Sequence, residues 1–296
     1  MAVTKRIGLI VNPAADKGRG AALGREVAAR LRAGGHEVLD LSDTSAAGAR
    51  ARALAGIEAG LDVLAVTGGD GTVNLCAGTG TVLALVAAGT GNDIARGLRL
   101  PVQDAVAAAD VITNGTVRVI DAGRHTDEHD VSHWFAGVLG AGFDSLVNER
   151  ANTWGWPKGR MRYNLAIARE LPVFRPIPYV IEVDGVRHRT QAMLVAVGNG
   201  PSYGGGMRVC PDASFDDGLF DVMIVHQMST FEFLRVFPKV FSGKHVGHAA
   251  VEILRGRNVR LEASGIVSYA DGERFAPLPM SAEIVPAALH VLVPGL

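Results

Sequence analysis

Residues 66–97 read VTGGDGTVNLCAGTGTVLALVAAGTGNDIARG, and this stretch decides the predicted fold. Two short apolar runs, Leu61–Val66 and Val82–Ala87, lead into glycine-rich clusters at 68–72 and 89–93. Short apolar runs that stop at glycine are typical of buried strands in a parallel sheet. Ligands of such sheets bind beyond the carboxyl ends of the strands. The stretch therefore predicts one crevice, lined by two glycine turns, that could hold a phosphate.

The two turns contain the chemistry that phosphate binding needs. Glycine tolerates positive φ and lets the backbone approach a ligand, and its N–H groups can point into a concave turn that favours anions. Asp70, in the first turn, would repel a bare phosphate. It therefore indicates a nearby cation or phosphate-bound metal, or hydrogen bonds to its carboxylate from a ribose or the backbone. The alternative for both clusters is a pair of tight turns capped by Asp and Asn.

Length and composition narrow the class of protein. The chain has 296 residues, which predicts two domains. Its formal net charge of −1 gives no field that attracts nucleic acid, so we expect no nucleic-acid partner. Cys76 and Cys210 lack His or Cys neighbours at metal-ligand spacing, which argues against a disulfide framework or a zinc site. The first residues lack the apolar region of a signal peptide, and the glycines and threonines between Asp70 and Asp93 argue against a membrane span. We therefore expect a cytoplasmic protein.

Strands and helices alternate up to about residue 125, which predicts right-handed βαβ units on a parallel sheet. Besides the two apolar runs, the predicted elements are strands at Arg6–Val11 and His36–Leu41 and helices at Ala21–Arg32, Ala46–Ala59 and Val102–Thr113. Asn12 follows the first strand, where its amide could bind a nucleotide phosphate or base. With Pro13 it could equally form a simple turn. We assign residues 1–125 to a nucleotide-binding α/β domain.

The second part of the chain, 126–296, is predicted to be a mostly antiparallel sheet or sandwich that binds the substrate. Its predicted strands are Val117–Gly123 at the boundary, then Ser132–Val138, Tyr179–Val183, Gln191–Val197, Phe220–His226, Val259–Ala263, Ser268–Ala270 and Ala282–Val285. Asp184-Gly185 between two of these is a strong hairpin signal. Helices are expected only at Asn164–Leu171 and Phe231–Ser242. The last segment of the chain could pack back on the first domain.

Two acidic turns follow in this part. Asp216-Asp217-Gly218 could bind a hard cation such as Mg²⁺ through the Asp217 carboxylate and the carbonyls of Ser214 and Leu219, although such a tripeptide is often only a turn. Asp271-Gly272-Glu273 places two carboxylates on either side of a glycine, so that one could take a proton from an attacking hydroxyl. A simple hairpin turn is the alternative there.

Taken in order, these motifs resemble the diacylglycerol kinase catalytic family, which includes bacterial lipid kinases and sphingosine and ceramide kinases. The resemblance runs from about residue 5 to about 285 and joins the clusters at 68–72 and 89–93 to the acidic turns at 216–218 and 271–273. Asn12-Pro13 and the stretch Asn199–Gly206 belong to the same pattern. It implies a Rossmann-like three-layer N-terminal domain, a β-sandwich C-terminal domain and ATP as the phosphoryl donor in a cleft between them.

The resemblance also implies roles for individual residues. It implies a structural Mg²⁺ on Ser214, Asp217 and Leu219. It implies a proton acceptor in the turn at 271–273, where we favour Glu273, with Asp271 assisting it or binding catalytic Mg²⁺; the two roles could be exchanged. The candidate catalytic residues are Glu273, Asp271 and Asp70. With the glycine turns, the candidate nucleotide-binding residues are Asn12, Pro13, Thr44, Gly68, Gly69, Asp70, Gly71, Thr72, Val73, Asn74, Leu75, Thr90, Asn92 and Asp93.

Two positions depart from the family pattern. Asp16 stands where relatives usually have glycine, which could alter phosphate contact, and Leu75 stands where many relatives have Glu. Neither change removes the catalytic turn. We expect an ATP-dependent lipid kinase that acts on diacylglycerol or a related lipid. The alternatives are an NAD kinase, because Gly-Gly-Asp-Gly is shared with that family, and a non-catalytic nucleotide- or lipid-binding sensor.

The expected partner is a membrane lipid at the bilayer surface, reached by peripheral association with the inner face of the membrane. The stretch Trp154–Arg162 mixes two tryptophans with three cations, which suits anionic headgroups. The alternative is a solvated loop whose tryptophans pack into the interface between the domains. An exposed strand edge could also pair two sandwiches into a homodimer.

Overall fold

A computed structural model of the protein describes residues 4–12, 18–154, 156, 161, 165–166, 169–170 and 175–295. The chain divides into two units. The first comprises Met1–Ala122, Phe215–Asp217 and Val285–Leu296, and the second comprises Gly123–Ser214 and Gly218–Ile284. The strands β5 (Thr116–Thr126) and β15 (Met280–Val293) contribute residues to both units.

The first unit is a parallel sheet with helices. Its further elements are β1 (Arg6–Val11), α1 (Arg19–Ala33), β2 (Glu37–Asp40), α2 (Ala46–Glu58), β3 (Val63–Gly68), a 3₁₀ helix (Asp70–Leu75), β4 (Val82–Ala87), α3 (Asp93–Gly97) and α4 (Ala105–Asn114). The strand order is β15-β4-β3-β1-β2, and the pairs in this row run parallel. β3 is buried along its whole length, because a central strand of such a sheet is covered on both faces.

Helices cover both faces of this sheet. From β1 the chain moves one way to β2 and then back past β1 to β3, so right-handed crossovers place α1 and α2 on opposite faces. A Cβ built on Gly24 of α1 would lie 2.7 Å from Val11, and one on Gly56 of α2 would lie 2.8 Å from Leu61. Both helices therefore pack closely on the sheet at a glycine. The predicted Rossmann-like three-layer α/β domain is confirmed.

The second unit is mostly antiparallel. After β5 its elements are β6 (Ser132–Phe135), β7 (Val138–Gly142), α5 (Phe143–Thr153), β8 (Ile177–Val183), β9 (Val186–Gly198), β10 (Phe220–His226), α6 (Thr230–Val236), 3₁₀ helices (Phe237–Ser242 and Lys244–Gly247), β11 (Val251–Gly256), β12 (Asn258–Glu262), β13 (Val267–Ala270) and β14 (Glu273–Pro277), before β15. The first half of β9 pairs with β8, and its second half pairs with β7 and β10.

This long strand joins two sheets that share one core. Side chains of the β7–β9–β10 sheet, such as Leu139 and Val222, pack in the same buried cluster as Ile181 of β8 and Leu261 of β12. Alternate residues of β10, such as Met223, face a second buried cluster on the other side. The predicted mostly antiparallel β-sandwich is therefore confirmed.

Several predicted elements lie where the sequence placed them. Val82–Ala87 and Phe220–His226 are strands with the predicted bounds. Asp184 and Gly185 both have positive φ and form the tight turn between β8 and β9, as expected for a type I′ hairpin. The predicted strand Ser132–Val138 was wrong, because the chain leaves the ladder after Phe135 and begins β7 at Val138.

Some sequence predictions fall on other residues. Pro13 lies outside the described residues, as do most of the predicted helix Asn164–Leu171 and most of the stretch Trp154–Arg162. Within that stretch, Trp154 is half-buried and Trp156 is 80% exposed. Among the described residues, no helix combines the length and the hydropathy that crossing a membrane would require.

Candidate active site

The carboxyl ends of four parallel strands bring the candidate nucleotide-binding residues of the first unit to one edge. Because the row is β4-β3-β1-β2, Thr90, Gly69, Asn12 and Thr44 follow neighbouring strands in turn. The backbone N–H of Asn12 donates to the carbonyl of Thr67 at 3.1 Å, which holds the end of β1 beside the end of β3. Thr44 and Thr90 are exposed at this edge. This is the edge at which parallel sheets bind ligands.

The two glycine turns touch each other. The N–H of Ala88 donates to the carbonyl of Gly68 at 2.9 Å. A Cβ added to Gly89 would lie 2.7 Å from the Cα of Gly69, which is closer than real Cβ atoms approach backbone. The close contact therefore requires glycine at position 89, and it leaves backbone rather than side chains lining this part of the edge.

Asp70 links the two turns through its carboxylate. Its Oδ1 accepts a hydrogen bond from the N–H of Ile94 at 2.9 Å, and its Oδ2 accepts one from the N–H of Asp93 at 3.1 Å. These donors are the first N–H groups of α3, where an acceptor is needed. Burial raises the pKa of Asp70, and the two N–H donors oppose that shift. Of the explanations that the sequence left open for Asp70, hydrogen bonding from the backbone is therefore present.

The side chains of Asn92 and Asp93 are occupied within the second turn. Asn92 has a φ of 55° and exchanges two hydrogen bonds with Gly89, at 2.8 Å to the N–H and 2.6 Å to the carbonyl. Asp93 is only 4% exposed and pairs with Arg96 at 3.3 Å. These two residues build the turn, so a nucleotide contact here would be made through the backbone.

The 3₁₀ helix after the first turn is fixed in a similar way. Thr72 donates its hydroxyl hydrogen to the carbonyl of Gly69 at 2.6 Å, and a Cβ on Gly68 would collide with the Thr72 methyl group. Val73 is buried, whereas Asn74 and Leu75 are half-buried. The candidate contacts from Gly68 to Leu75 thus form one rigid turn.

The acidic hairpin of the second unit lies between β13 and β14. Asp271 has a φ of 50° and Gly272 a φ of 83°, and Ala270 pairs with Glu273 across the turn. The Asp271 carboxylate accepts hydrogen bonds from the backbone N–H groups of Ala136 at 2.8 Å, Gly137 at 2.9 Å and Val138 at 3.2 Å. Asp271 therefore fastens the turn to the start of β7.

A second side chain holds the same segment. Asn199, which is fully buried, donates from Nδ2 to the carbonyl of Ala136 at 2.7 Å. The backbone N–H groups of Asn199 and Gly200 donate to the carbonyl of Gly137 at 2.9 and 3.0 Å. The glycine cluster that begins at Asn199 therefore supports the link from β6 to β7, and so supports the acidic turn. The sequence pattern included Asn199 but gave it no role.

Glu273 differs from Asp271 in its surroundings. Along β14, Glu273 and Phe275 point to one face and Arg274 to the other. Phe275 packs against the rings of His125 and His133, with centroids 3.7 and 4.9 Å away. Glu273 is exposed as a whole, yet neighbouring protein atoms displace water from its carboxyl group and raise its pKa, while His133 acts in the opposite direction. His133 was not singled out by sequence reasoning.

The opposite face of the hairpin is anchored to α5. Tyr269 donates its hydroxyl hydrogen to Glu149 at 2.5 Å, and Arg274 pairs with the same carboxylate oxygen at 2.9 Å. Together with the Asp271 contacts, these bonds hold the hairpin from two sides. Glu273 is thus an accessible carboxylate on a rigid support, as a proton acceptor requires.

The predicted magnesium ligands lie in the turn directly before β10. Asp216 pairs with Arg118 at 2.7 Å, and Gly218 has a φ of 70°. Asp217 belongs to the first unit, whereas Ser214 and Leu219 belong to the second. A carboxylate and two carbonyls are all oxygen donors, the type that Mg²⁺ prefers. The part of the chain that the structure describes has no group of three or more His, Cys, Asp or Glu residues suited to a metal, and the predicted set, with one carboxylate, stays a prediction.

The second unit also contains an apolar pocket that sequence reasoning did not find. Its walls include Phe143, Met207, Met223, Phe233 and Val240, and the part of it that could hold the centre of a water molecule is about 60 Å³. The residues that form it are scattered along the chain from α5 to β11, so no local sequence signal predicts it.

One buried acid lies in the wall of this pocket. Asp144 accepts a hydrogen bond from the hydroxyl of Tyr203 at 3.0 Å, and its Oδ1 has no hydrogen-bond partner among the described residues. Burial raises the pKa of Asp144 to about 6, and the hydrogen bond from Tyr203 opposes this shift. A Cβ on Gly140 would lie 2.2 Å from this carboxylate, so the acid occupies space left by a glycine.

The chain matches known families over both units. Residues 6–125 match the family described as diacylglycerol kinase catalytic domain, and residues 137–293 match the one described as YegS C-terminal NAD kinase beta sandwich-like domain. A diacylglycerol kinase of Mycobacterium tuberculosis (strain CDC 1551 / Oshkosh) is 40% identical over 294 residues, which cover 98% of this chain and 95% of the relative. One of Bacillus subtilis (strain 168) is 30% identical over 241 residues, 79% of this chain and 78% of the relative.

A solved structure has the same fold. A diacylglycerol kinase from Bacillus anthracis str. Sterne superposes with a TM-score of 0.76 at 25% identity, over 98% of this chain and 97% of that one. The fold and the family matches together define a two-domain kinase with an α/β unit and a β-sandwich unit. The chain belongs to the diacylglycerol kinase catalytic-domain family, and it is a lipid kinase that uses ATP.

Proposed function

We propose that the protein transfers the γ-phosphoryl group of ATP to the free hydroxyl of diacylglycerol and so produces phosphatidic acid. The relatives from Mycobacterium tuberculosis and Bacillus subtilis are both named diacylglycerol kinase, which supports this choice of lipid. The two relatives cover most of the chain, so the likeness includes the unit that would bind the substrate.

The single observation that carries the proposal is the apolar pocket of the second unit. Its lining includes Phe143, Met207, Met223 and Phe233, side chains that suit an acyl chain. A polar second substrate such as NAD would bring its phosphate groups against walls that are mainly apolar and contain a buried carboxylate, Asp144, at a high cost. The pocket therefore favours a lipid over a soluble nucleotide as the phosphoryl acceptor.

The turns of the first unit supply what ATP phosphates need. At the contact between Gly69 and Gly89 the edge is formed by backbone, and the carboxylate of Asp70 accepts hydrogen bonds from the N–H groups of α3. An anion at this edge would therefore meet a carboxylate whose charge is partly offset by hydrogen bonds, rather than a bare acid. Mg²⁺, held by Asp217 with the carbonyls of Ser214 and Leu219, would support the turn between them, and Mg²⁺ bound with ATP would neutralise phosphate charge.

Glu273 is the proposed proton acceptor. As the lipid oxygen forms its bond to the γ-phosphorus and the bond to the ADP oxygen breaks, the carboxylate takes the hydroxyl proton. Its raised pKa brings the acid closer to the pH at which a general base is most effective. Asp271 holds the turn through three backbone hydrogen bonds, and its proposed role is to position Glu273.

Two alternatives remain to be separated by experiment. An NAD kinase shares the Gly-Gly-Asp-Gly turn, and a non-catalytic sensor could use the same nucleotide edge. The accessible carboxylate of Glu273 on an anchored hairpin speaks against a sensor, because binding alone does not need it.

A direct test incubates the purified protein with MgATP and diacylglycerol in mixed micelles, with parallel reactions on phosphatidylglycerol, a sphingoid base and NAD. Mass spectrometry identifies the phosphorylated product. The proposal expects phosphatidic acid as the main product. Preferential phosphorylation of NAD or of another lipid would replace it, and ATP binding with no product on any acceptor would favour the sensor.

A further inference from the structure

Three large apolar side chains are exposed on the surface of the second unit, in α6 and the 3₁₀ helix that follows it. Phe231 is 75% exposed, Leu234 is 54% exposed and Phe241 is 49% exposed. Single exposed apolar residues are common, but three on one short segment indicate an interaction surface. We call these three residues the apolar face.

The fold does not require these side chains. Ser229 caps α6 by accepting a hydrogen bond from the N–H of Glu232 at 3.2 Å. The side chains that tie the segment to the unit are Phe233, Val236 and Val240, which are all buried, and Phe233 and Val240 belong to the second core cluster. The segment is thus anchored by its inner side, and its outer side presents the apolar face to solvent.

Three cations lie in the same segment or directly after it in the chain. Arg235, Lys239 and Lys244 are exposed, and none of them has an ion pair among the residues that the structure describes. The one acid of the segment, Glu232, lies 3.3 Å from His248. Aromatic and aliphatic side chains among unpaired cations are the composition by which interfacial helices bind anionic bilayers.

The same segment forms part of the wall of the apolar pocket. Phe233, Val236, Phe237 and Val240 line the pocket from the inner side, while Phe231 and Leu234 point outward from the same helix. Phe237 connects the two sides, since its ring lies 5.7 Å from that of Phe233 and 6.4 Å from that of Phe241. One helical segment therefore separates the pocket from the outer apolar face.

We propose that the apolar face, with Arg235, Lys239 and Lys244, docks on the surface of an anionic lipid bilayer. The apolar side chains enter the boundary between headgroups and acyl chains, and the cations contact lipid phosphates. A lipid at this place needs to pass only the α6 segment to reach the pocket, a route that rests on the proposed function. Docking itself does not depend on which acceptor is phosphorylated.

Vesicle binding tests the proposal with the full chain. Sedimentation is measured with vesicles of phosphatidylcholine alone and of phosphatidylcholine with phosphatidylglycerol. The double variant F231S/L234S should bind the mixed vesicles at least about tenfold more weakly, because burying one large apolar side chain contributes about that much. Lys239→Gln should bind them about fivefold more weakly and leave binding to phosphatidylcholine unchanged.

Matched controls come from the same unit. Val186 is 59% exposed and Arg189 is exposed without an ion pair among the described residues, so Val186→Ser and Arg189→Gln should bind vesicles as the wild type does. The melting temperature of each variant shows whether it is folded. If the double variant is unstable, Lys239→Gln still tests docking, because it changes only an exposed cation of the proposed surface.

Three results would overturn the proposal: no binding of the wild type to the mixed vesicles, equal binding by all variants, or loss of a dimer rather than of vesicle binding in F231S/L234S. A short-chain, water-soluble diacylglycerol can be phosphorylated without docking on a bilayer. Its turnover therefore tests the proposed function independently of docking. If the wild type binds vesicles through the apolar face but phosphorylates no diacylglycerol, docking stands and the proposed function fails.

Discussion

The carboxylate of Asp271 accepts a hydrogen bond from the backbone N–H of Gly137 at 2.9 Å, although 134 residues separate the two. Two further N–H groups, of Ala136 and Val138, donate to the same carboxylate. All three donors are buried residues, so they need an acceptor. This contact makes Asp271 a support of the acidic hairpin, whereas the carboxylate of Glu273 on the same hairpin belongs to an exposed residue.

Replacing Asp271 should therefore affect stability as well as turnover. Asp271→Ala leaves three buried N–H donors without their acceptor. It also places alanine at a positive φ, which aspartate tolerates better because its side chain is polar. We therefore expect the free energy of unfolding to fall by about 2–4 kcal/mol. Asp271→Asn keeps one acceptor oxygen and tolerates the positive φ, so its free energy of unfolding should fall by less. Denaturant unfolding measures both. Asp212→Ala, at an exposed acid, should change little, and an equally small effect of Asp271→Ala would show that the contacts contribute nothing.

The pH dependence of kcat should reflect Glu273 and its neighbour His133. A general base works only when deprotonated, so kcat should fall as the pH drops through the raised pKa of Glu273. Protonated His133 favours the Glu273 carboxylate and lowers its pKa. His133→Gln removes that effect, and the acidic limb of the profile should move to higher pH. His129→Gln, in the exposed loop between β5 and β6, serves as the control. If His133→Gln leaves the pH profile unchanged, an electrostatic effect of His133 on Glu273 is excluded.

The contact between the glycine turns should be sensitive to one methyl group. In Gly89→Ala the new Cβ would lie 2.7 Å from the Cα of Gly69, so one turn must move. We expect a loss of about 1–3 kcal/mol in unfolding free energy and a higher KM for ATP. Gly247→Ala adds its Cβ in open space and should change neither. Unchanged ATP kinetics in Gly89→Ala would remove the turn from the nucleotide site.

Asp144 should make the stability of the protein depend on pH. Its pKa is about 6 in the fold, above its usual value of 3.8, so the folded state binds a proton more tightly than the unfolded state does. Its contribution to stability is thus most favourable below about pH 4 and is lost as the pH rises through about 6. The difference between the pKa of Asp144 in the fold and its usual value corresponds to about 3 kcal/mol of stability. Asp144→Asn should raise the melting temperature at pH 8 more than at pH 4, and an equal change at both values would contradict the shift.

The sequence predicted most of the elements because their signals are local. Val82–Ala87 is a continuous apolar run ended by glycine, and Asp184-Gly185 has the residues that a type I′ turn demands, so both could be identified without tertiary contacts. The strand β14 was missed because ERFAP is largely exposed and has no apolar alternation to announce it. Such an edge strand is defined by its partner β13.

The candidate site was predictable in its residue types but not in its connections. Asp70 could be identified as special, yet only the fold shows that its acceptor bonds go to Asp93 and Ile94, 23 and 24 residues away. The break between β6 and β7 also depends on distant residues. Asp271 and Asn199 form hydrogen bonds with the backbone of the residues between the two strands. Contacts over such separations leave no local pattern in one sequence.

The central claim is that Glu273 accepts the proton in a lipid phosphorylation, and the variant Glu273→Gln tests it most directly. Formation of phosphatidic acid from diacylglycerol and ATP is measured beside ATP affinity and melting temperature. We expect kcat to fall about 10²–10⁴-fold while ATP affinity and melting temperature stay unchanged. Glu128→Gln, at an exposed acid of the same unit, should retain the wild-type rate. A Glu273→Gln enzyme that produces phosphatidic acid at nearly the wild-type rate would contradict the claim.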